Sequence, residues 1–107
     1  LGTDRGANPV EILLGALSGC MTNTLVYYSA AQGLSIEGVE SEYEGDIDLQ
    51  GFLGVDENVD NGYSEIRVKF KVKGDSTEEQ IKQFVQSSPV FDTLCRPIKI
   101  NVEVEKV

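Results

Sequence analysis

The residues of this 107-residue chain best suited to chemistry are its two thiols, Cys20 and Cys95. Cys20 lies in Leu17-Ser18-Gly19-Cys20-Met21, inside a long apolar run. A free Cys in such a setting is most often a small buried hydrophobe. A nucleophilic role needs the thiolate instead. Burial raises a thiol pKa, and Cys20 falls about three turns into the helix expected around it, too far for the helix dipole to help. Its activation must come from another part of the chain. Cys95 stands in Asp92-Thr93-Leu94-Cys95-Arg96-Pro97, where Arg96 is a cation able to favour its thiolate. Packing is the plainer reading for Cys95, because sequence neighbours often point apart.

Other chemistries are excluded by what is absent or misplaced. The chain has no His, which removes His general-base catalysis, the Ser-His-Asp triad and His metal ligands. Two Cys cannot form a four-thiolate zinc site or a disulfide scaffold. Asp56-Glu57-Asn58-Val59-Asp60 begins like a calcium loop, but its Gly arrives one place late, at Gly62. Arg67 stands where a bidentate Glu is required. Neither glycine-rich phosphate pattern occurs. Glu40, Glu42 and Glu44 share a solvated face with no apolar pocket to separate their pKa values, so they do not suit glycoside chemistry. No metal and no cofactor is expected.

The elements that must position the thiols follow from periodicity. Asn8-Pro9 reads as an N-cap followed by Pro in the first helical position, and the segment Pro9–Gln32 as a helix. Glu11 sits in its first turn, where the dipole favours an acid. From Val10 to Met21 the helix is apolar nearly all round, which places it mid-core. Gly15 and Gly19 would let another backbone come close, and Gly33 suits the C-terminal cap. Val39 to Leu49 alternates as a strand with Glu40, Glu42, Glu44, Asp46 and Asp48 on its wet face. Residues 50–63 read as a loop with an Asn61-Gly62 turn. Ser64 to Lys73 is a second strand, with Ile66, Val68, Phe70 and Val72 inward and Arg67, Lys69, Lys71 and Lys73 outward. Opposite charges across two strands are worth roughly 0.2–1 kcal/mol a pair, so the acidic and basic stripes predict a hairpin rather than a ligand site. A capping box at Ser76-Thr77-Glu78-Glu79 opens a short helix carrying Ile81, Phe84 and Val85. A connector runs from Ser88-Pro89 to Arg96-Pro97. Ile98 to Val104 then reads as a final strand with Ile98, Ile100, Val102 and Val104 on one face. The order α-β-β-α-β predicts a single α+β domain over residues 1–107, with helices packed on one face of an antiparallel sheet.

Charge and composition bound the partners. Nine Lys and Arg against 18 Asp and Glu give a formal charge of −9. Nucleic acid and anionic membranes would both repel such a surface. No run of about 18 strongly apolar residues is uninterrupted, so no membrane span is expected. Nothing reads as a secretion signal, and a cytoplasmic, reducing setting is the expectation. A start at Leu1 is what a piece of a longer polypeptide gives.

Taken together, Asn8-Pro9-Val10-Glu11-Ile12-Leu13-Leu14-Gly15-Ala16-Leu17-Ser18-Gly19-Cys20 resembles the central helix of the OsmC-like proteins. That family includes osmotically inducible and organic hydroperoxide resistance proteins. Ser88-Pro89-Val90-Phe91-Asp92-Thr93-Leu94 resembles the second signature block of the family, and the likeness runs from residue 6 onward. The resemblance implies an intertwined homodimer with the Cys helix at its centre and the site at the subunit interface. It implies a stress-defence peroxidase reducing organic hydroperoxides or hydrogen peroxide. Cys20 is then the peroxidatic thiol, a second Cys resolves the sulfenic acid, and a dithiol is the reductant. Three positions depart from the pattern. The hydroperoxide branch has its catalytic Glu directly after Asn-Pro, where this chain has Val10. Glu11 is one place further on, and nine residues put it roughly 180° around the helix from Cys20. The resolving Cys of the family falls at Ser88, with Cys95 seven residues later. The activating Arg of the family comes from an N-terminal hairpin expected to lie outside this chain, leaving Arg5 as the nearest substitute. The alternatives are a catalytically silent dimer that binds a small apolar ligand at the interface, and a purely structural dimer with Cys20 as core filler.

Overall fold

A computed structural model describes residues 8–107. The elements are α1 (Pro9–Ala31), β1 (Ile36–Ile47), α2 (Leu49–Phe52), β2 (Tyr63–Gly74), α3 (Glu78–Val85) and α4 (Pro89–Cys95). The class is α+β, with helices against one antiparallel sheet of two strands, β1 and β2.

α1 begins where its sequence signals place it. Asn8 Oδ1 accepts the Glu11 N–H at 3.0 Å, and Pro9 takes the first helical position. It ends at Gln32, and Gly33 follows with φ +69°, the left-handed conformation that Gly adopts at little cost. The 23 residues of α1 hold an 18-residue window of mean hydropathy 1.3, enough to cross a bilayer by length and composition alone. In this fold one side of it packs against the other elements. Leu17, Met21, Leu25 and Ser29, four residues apart, form its buried stripe. Leu17, Met21 and Leu25 meet Phe84 and Val85 of α3, and the inward side chains of the hairpin and Phe91 of α4 pack around them.

The hairpin register confirms the charge stripes. Glu40 faces Lys71, Glu42 faces Lys69, and Glu44 faces Arg67. Arg67 also gathers Asp46 at 2.7 Å and Glu65, so one guanidinium ties down three carboxylates. That clamp holds the Asp46 carboxyl below the usual carboxylate range. At the loop end of the hairpin, the Tyr63 ring lies over Gly45 and its hydroxyl donates to the Val10 carbonyl at 2.6 Å. A larger residue at 45 would displace that ring, and with it the link between the sheet and the start of α1.

Four expectations are corrected. α1 is not buried all round: Ile12, Val26 and Tyr27 are exposed, and nothing among the described residues lies against Gly15 or Gly19. Among the described residues, one stripe of the helix meets the other elements. The capping box of α3 is Thr77 with Gln80, one place later than read, because Gln can complete it as well as Glu. The connector after Ser88 contains α4, since Pro89 starts a helix instead of ending one. The strand read at Ile98–Val104 does not form, and the chain from Arg96 onward has neither helix nor strand. Ile100, Val102 and Val104 are 75, 81 and 83% exposed. A strand exists by pairing, and no sheet edge among the described residues pairs with that segment. The Cα radius of gyration of 17.4 Å, against about 13 Å for a compact chain of this length, reflects this open arrangement.

Leu25 is fully buried at the centre of the cluster, whereas Leu53 is 62% exposed. Leu25→Ala is expected to remove about 2–5 kcal/mol of stability and Leu53→Ala under about 0.5 kcal/mol, read by urea unfolding.

Candidate active site

α4 packs against α1, and its first turn meets the helix at Cys20. Ser88 caps α4: its Oγ accepts the Phe91 N–H at 3.2 Å, and the residue is fully buried. With that lone pair engaged, the hydroxyl proton of Ser88 is free to be donated to the Cys20 sulfur. The Val90 backbone N–H is a second donor there. These two hydrogen bonds, Ser88 first, hold the Cys20 thiol below its ordinary pKa, and burial opposes them. Thr24 adds least. Its single hydroxyl proton is given to the Cys20 carbonyl at 2.7 Å, so little is left for the sulfur.

Cys20 is half-buried and opens on a cleft of about 360 Å³ lined with Asn23, Thr24, Tyr27, Tyr28, Ser87 and Pro89. Tyr27 meets Tyr28 edge to face at 5.2 Å, and Tyr28 stacks on Phe84 at 5.6 Å. One wall of the cleft is therefore aromatic and anchored in the core. Small solutes in water have access to the sulfur. The combination of a solvent-open thiol and fixed donors suits nucleophilic attack on a small electrophile.

The other candidate residues lie elsewhere. Glu11 is exposed, nine residues or about 13 Å along the axis from Cys20, and on the opposite side of α1. Its charge acts instead on Tyr63, whose hydroxyl is pushed up chiefly by burial and further by Glu11. Cys95 is exposed at the far end of α4. It borders a separate, largely apolar cleft of about 440 Å³ with Leu13, Leu17, Tyr63 and Phe91. Arg96 is turned back to Asp92 at 2.8 Å. With Arg67 held by three carboxylates, both arginines among the described residues are paired with acids, and no cation among the described residues contributes to lowering the Cys20 thiol. Arg5 lies outside the described residues.

No group of His, Cys, Asp and Glu among the described residues is arranged to hold a metal ion. The motifs marked Ser88 only as the place of the family's resolving Cys, not as a residue that favours the Cys20 thiolate. Its signal was present, since a Ser before Pro at a helix start is a cap, and a buried cap must be packed against something.

No curated protein matches the chain in sequence. Among solved structures, the chain is similar to an OsmC like protein from Mycoplasma pneumoniae, with 22% identity and a TM-score of 0.69. The likeness covers 85% of this chain and 64% of that one, so this chain spans under two thirds of the length of that protein. At that identity the likeness is one of fold. The family described as OsmC-like protein matches residues 2–103, and the chain belongs to the OsmC-like family.

Proposed function

We propose that this OsmC-like chain is a thiol-dependent peroxide reductase and that Cys20 is its peroxidatic residue. The observation carrying this reading is the Cys20 sulfur itself, open to a cleft while the Ser88 hydroxyl and the Val90 N–H favour its thiolate. The thiolate attacks one oxygen of the peroxide, and the O–O bond breaks. The leaving alkoxide or hydroxide takes a proton from water and departs as an alcohol or as water. Cys20 is left as a sulfenic acid. A dithiol then supplies two electrons and returns the thiol. Tyr27 and Tyr28 provide an apolar wall for the hydrocarbon part of an organic hydroperoxide.

The working unit in this reading is a homodimer. Support comes from the side of α1 carrying Ile12, Gly15, Gly19 and Val26, which the described residues leave uncovered, and from the alternating apolar residues of 98–104. A second copy would cover both. The acidic surface and the reducing requirement of the chemistry fit a cytoplasmic setting.

A second reading has its own observation. The apolar cleft beside Cys95, with Leu13, Leu17, Ile66, Val68 and Phe91, suits a small apolar ligand held without turnover.

The two readings separate on thiol titration. A stoichiometric organic hydroperoxide is expected to consume one thiol in the parent chain and in Cys95→Ala, and none rapidly in Cys20→Ser. A thiol count that stays constant while an apolar ligand raises the melting temperature selects the binding reading.

A further inference from the structure

We infer that the loop joining β1 to β2 is a docking surface for another protein, and that its partner presents Lys or Arg beside apolar side chains. The inference is independent of the chemistry at Cys20.

Leu49, Phe52, Leu53 and Val55 are 46, 62, 62 and 72% exposed. Single exposed apolar side chains are ordinary. Four between Leu49 and Val55 make a patch, and such patches mark contacts with partners. None of the four belongs to the hydrophobic cluster or packs against it.

The backbone beneath the patch is firmly built. Asp48 Oδ1 accepts the Gln50 N–H at 3.0 Å and starts α2. The Gln50 carbonyl accepts the Val55 N–H at 2.9 Å, closing a turn in which Gly54 takes φ +72°. Asp56 Oδ1 accepts the Asn58 N–H at 2.9 Å. Gly51 lies so close to the Val59 and Asp60 carbonyls that any Cβ would collide with them, which ties α2 to the second half of the loop. A loop fixed in this way has little conformational freedom left to lose on association. It holds hydrocarbon in water without using it to stabilise the core.

Charge specifies the partner. Asp48, Asp56, Glu57 and Asp60 flank the patch in sequence, and none of them is in an ion pair among the described residues. No Lys or Arg occurs between Arg5 and Arg67, and Arg67 is taken by Glu44, Asp46 and Glu65. Uncompensated negative charge beside exposed hydrocarbon is complementary to a segment that carries cations among apolar side chains. A second copy of this chain is a poor match. It brings a charge of −9, its open side of α1 has no base, and Lys99 and Lys106 of its C-terminal segment are offset by Glu103 and Glu105. An anionic membrane is repelled outright.

Short synthetic peptides added to the full chain test the proposal. A peptide of alternating Lys and Leu is expected to bind and to shift the backbone amide resonances of residues 48–62, leaving the rest of the ¹H–¹⁵N spectrum in place. A Lys-Ser peptide is expected to bind at least about tenfold more weakly, and a Glu-Leu peptide not to bind. Phe52→Ser combined with Leu53→Ser is expected to weaken the Lys-Leu peptide about tenfold. Glu57→Gln combined with Asp60→Asn is expected to weaken it about threefold and to flatten its salt dependence. The peptide comparisons on the parent chain decide the matter even where a variant fails to fold. Absence of binding, shifts centred on α1 or on the cleft beside Cys95, or equal binding of the Lys-Ser peptide overturns the proposal. Self-association of the parent chain that Phe52→Ser with Leu53→Ser abolishes also overturns it, by giving the patch to a second copy. Flotation with phosphatidylcholine vesicles that the same variant loses overturns it in favour of a membrane.

Discussion

A thiol on an apolar helix becomes a nucleophile only when donors are brought to it from another part of the chain. In this protein the first turn of α4 brings them. The Ser88 hydroxyl and the Val90 N–H meet the Cys20 sulfur because α4 is capped at that point and packed across α1. A cation is the commoner device for lowering a thiol pKa, but the arginines among the described residues are spent on carboxylates. Hydrogen bonds from neutral donors are weaker than a charge, yet they act at contact and in a half-buried site, where screening by water is reduced.

The remaining architecture holds that contact in place. The stripe Leu17, Met21, Leu25 and Ser29 fixes the rotation of α1, and rotation decides whether position 20 faces the cap of α4 or solvent. Phe84 and Val85 seat α3 on the same stripe, and the chain runs from α3 to the cap of α4 within three residues. The hairpin closes the other side of the core, with its register fixed by inward apolar residues and opposed outer charges. An exposed apolar side of α1 and an exposed, alternating C-terminal segment have no partner among the described residues.

The sequence made the helices and the hairpin legible for local reasons. Asn8-Pro9 carries its own start signal, and the odd and even positions of 39–49 and 64–73 separate cleanly by charge. The site was legible only in part. Cys20 stood out by its surroundings, but the Ser88 side chain that favours its thiolate did not, because Ser88 lies 68 positions away. Nothing local to either residue encodes their contact. Pro89 was ambiguous for a different reason, since Pro ends some helices and begins others, and the deciding cap bond appears only once the backbone is placed. The segment 98–104 carries a strand pattern, but alternation expresses a requirement for a partner and does not supply one. Glu11, close to Cys20 in the motif, is set apart from it by simple helix geometry.

The central claim is that Cys20 ionises more readily than a free thiol because of its neighbours in the fold. Titration of the Cys20 ¹³Cβ resonance in the full chain tests it most directly. The account predicts a transition below the range of an unfolded cysteine, moving back into that range when the same chain is measured in urea. A folded transition at or above the unfolded one would mean that burial outweighs the donors and that the sulfur is core filler.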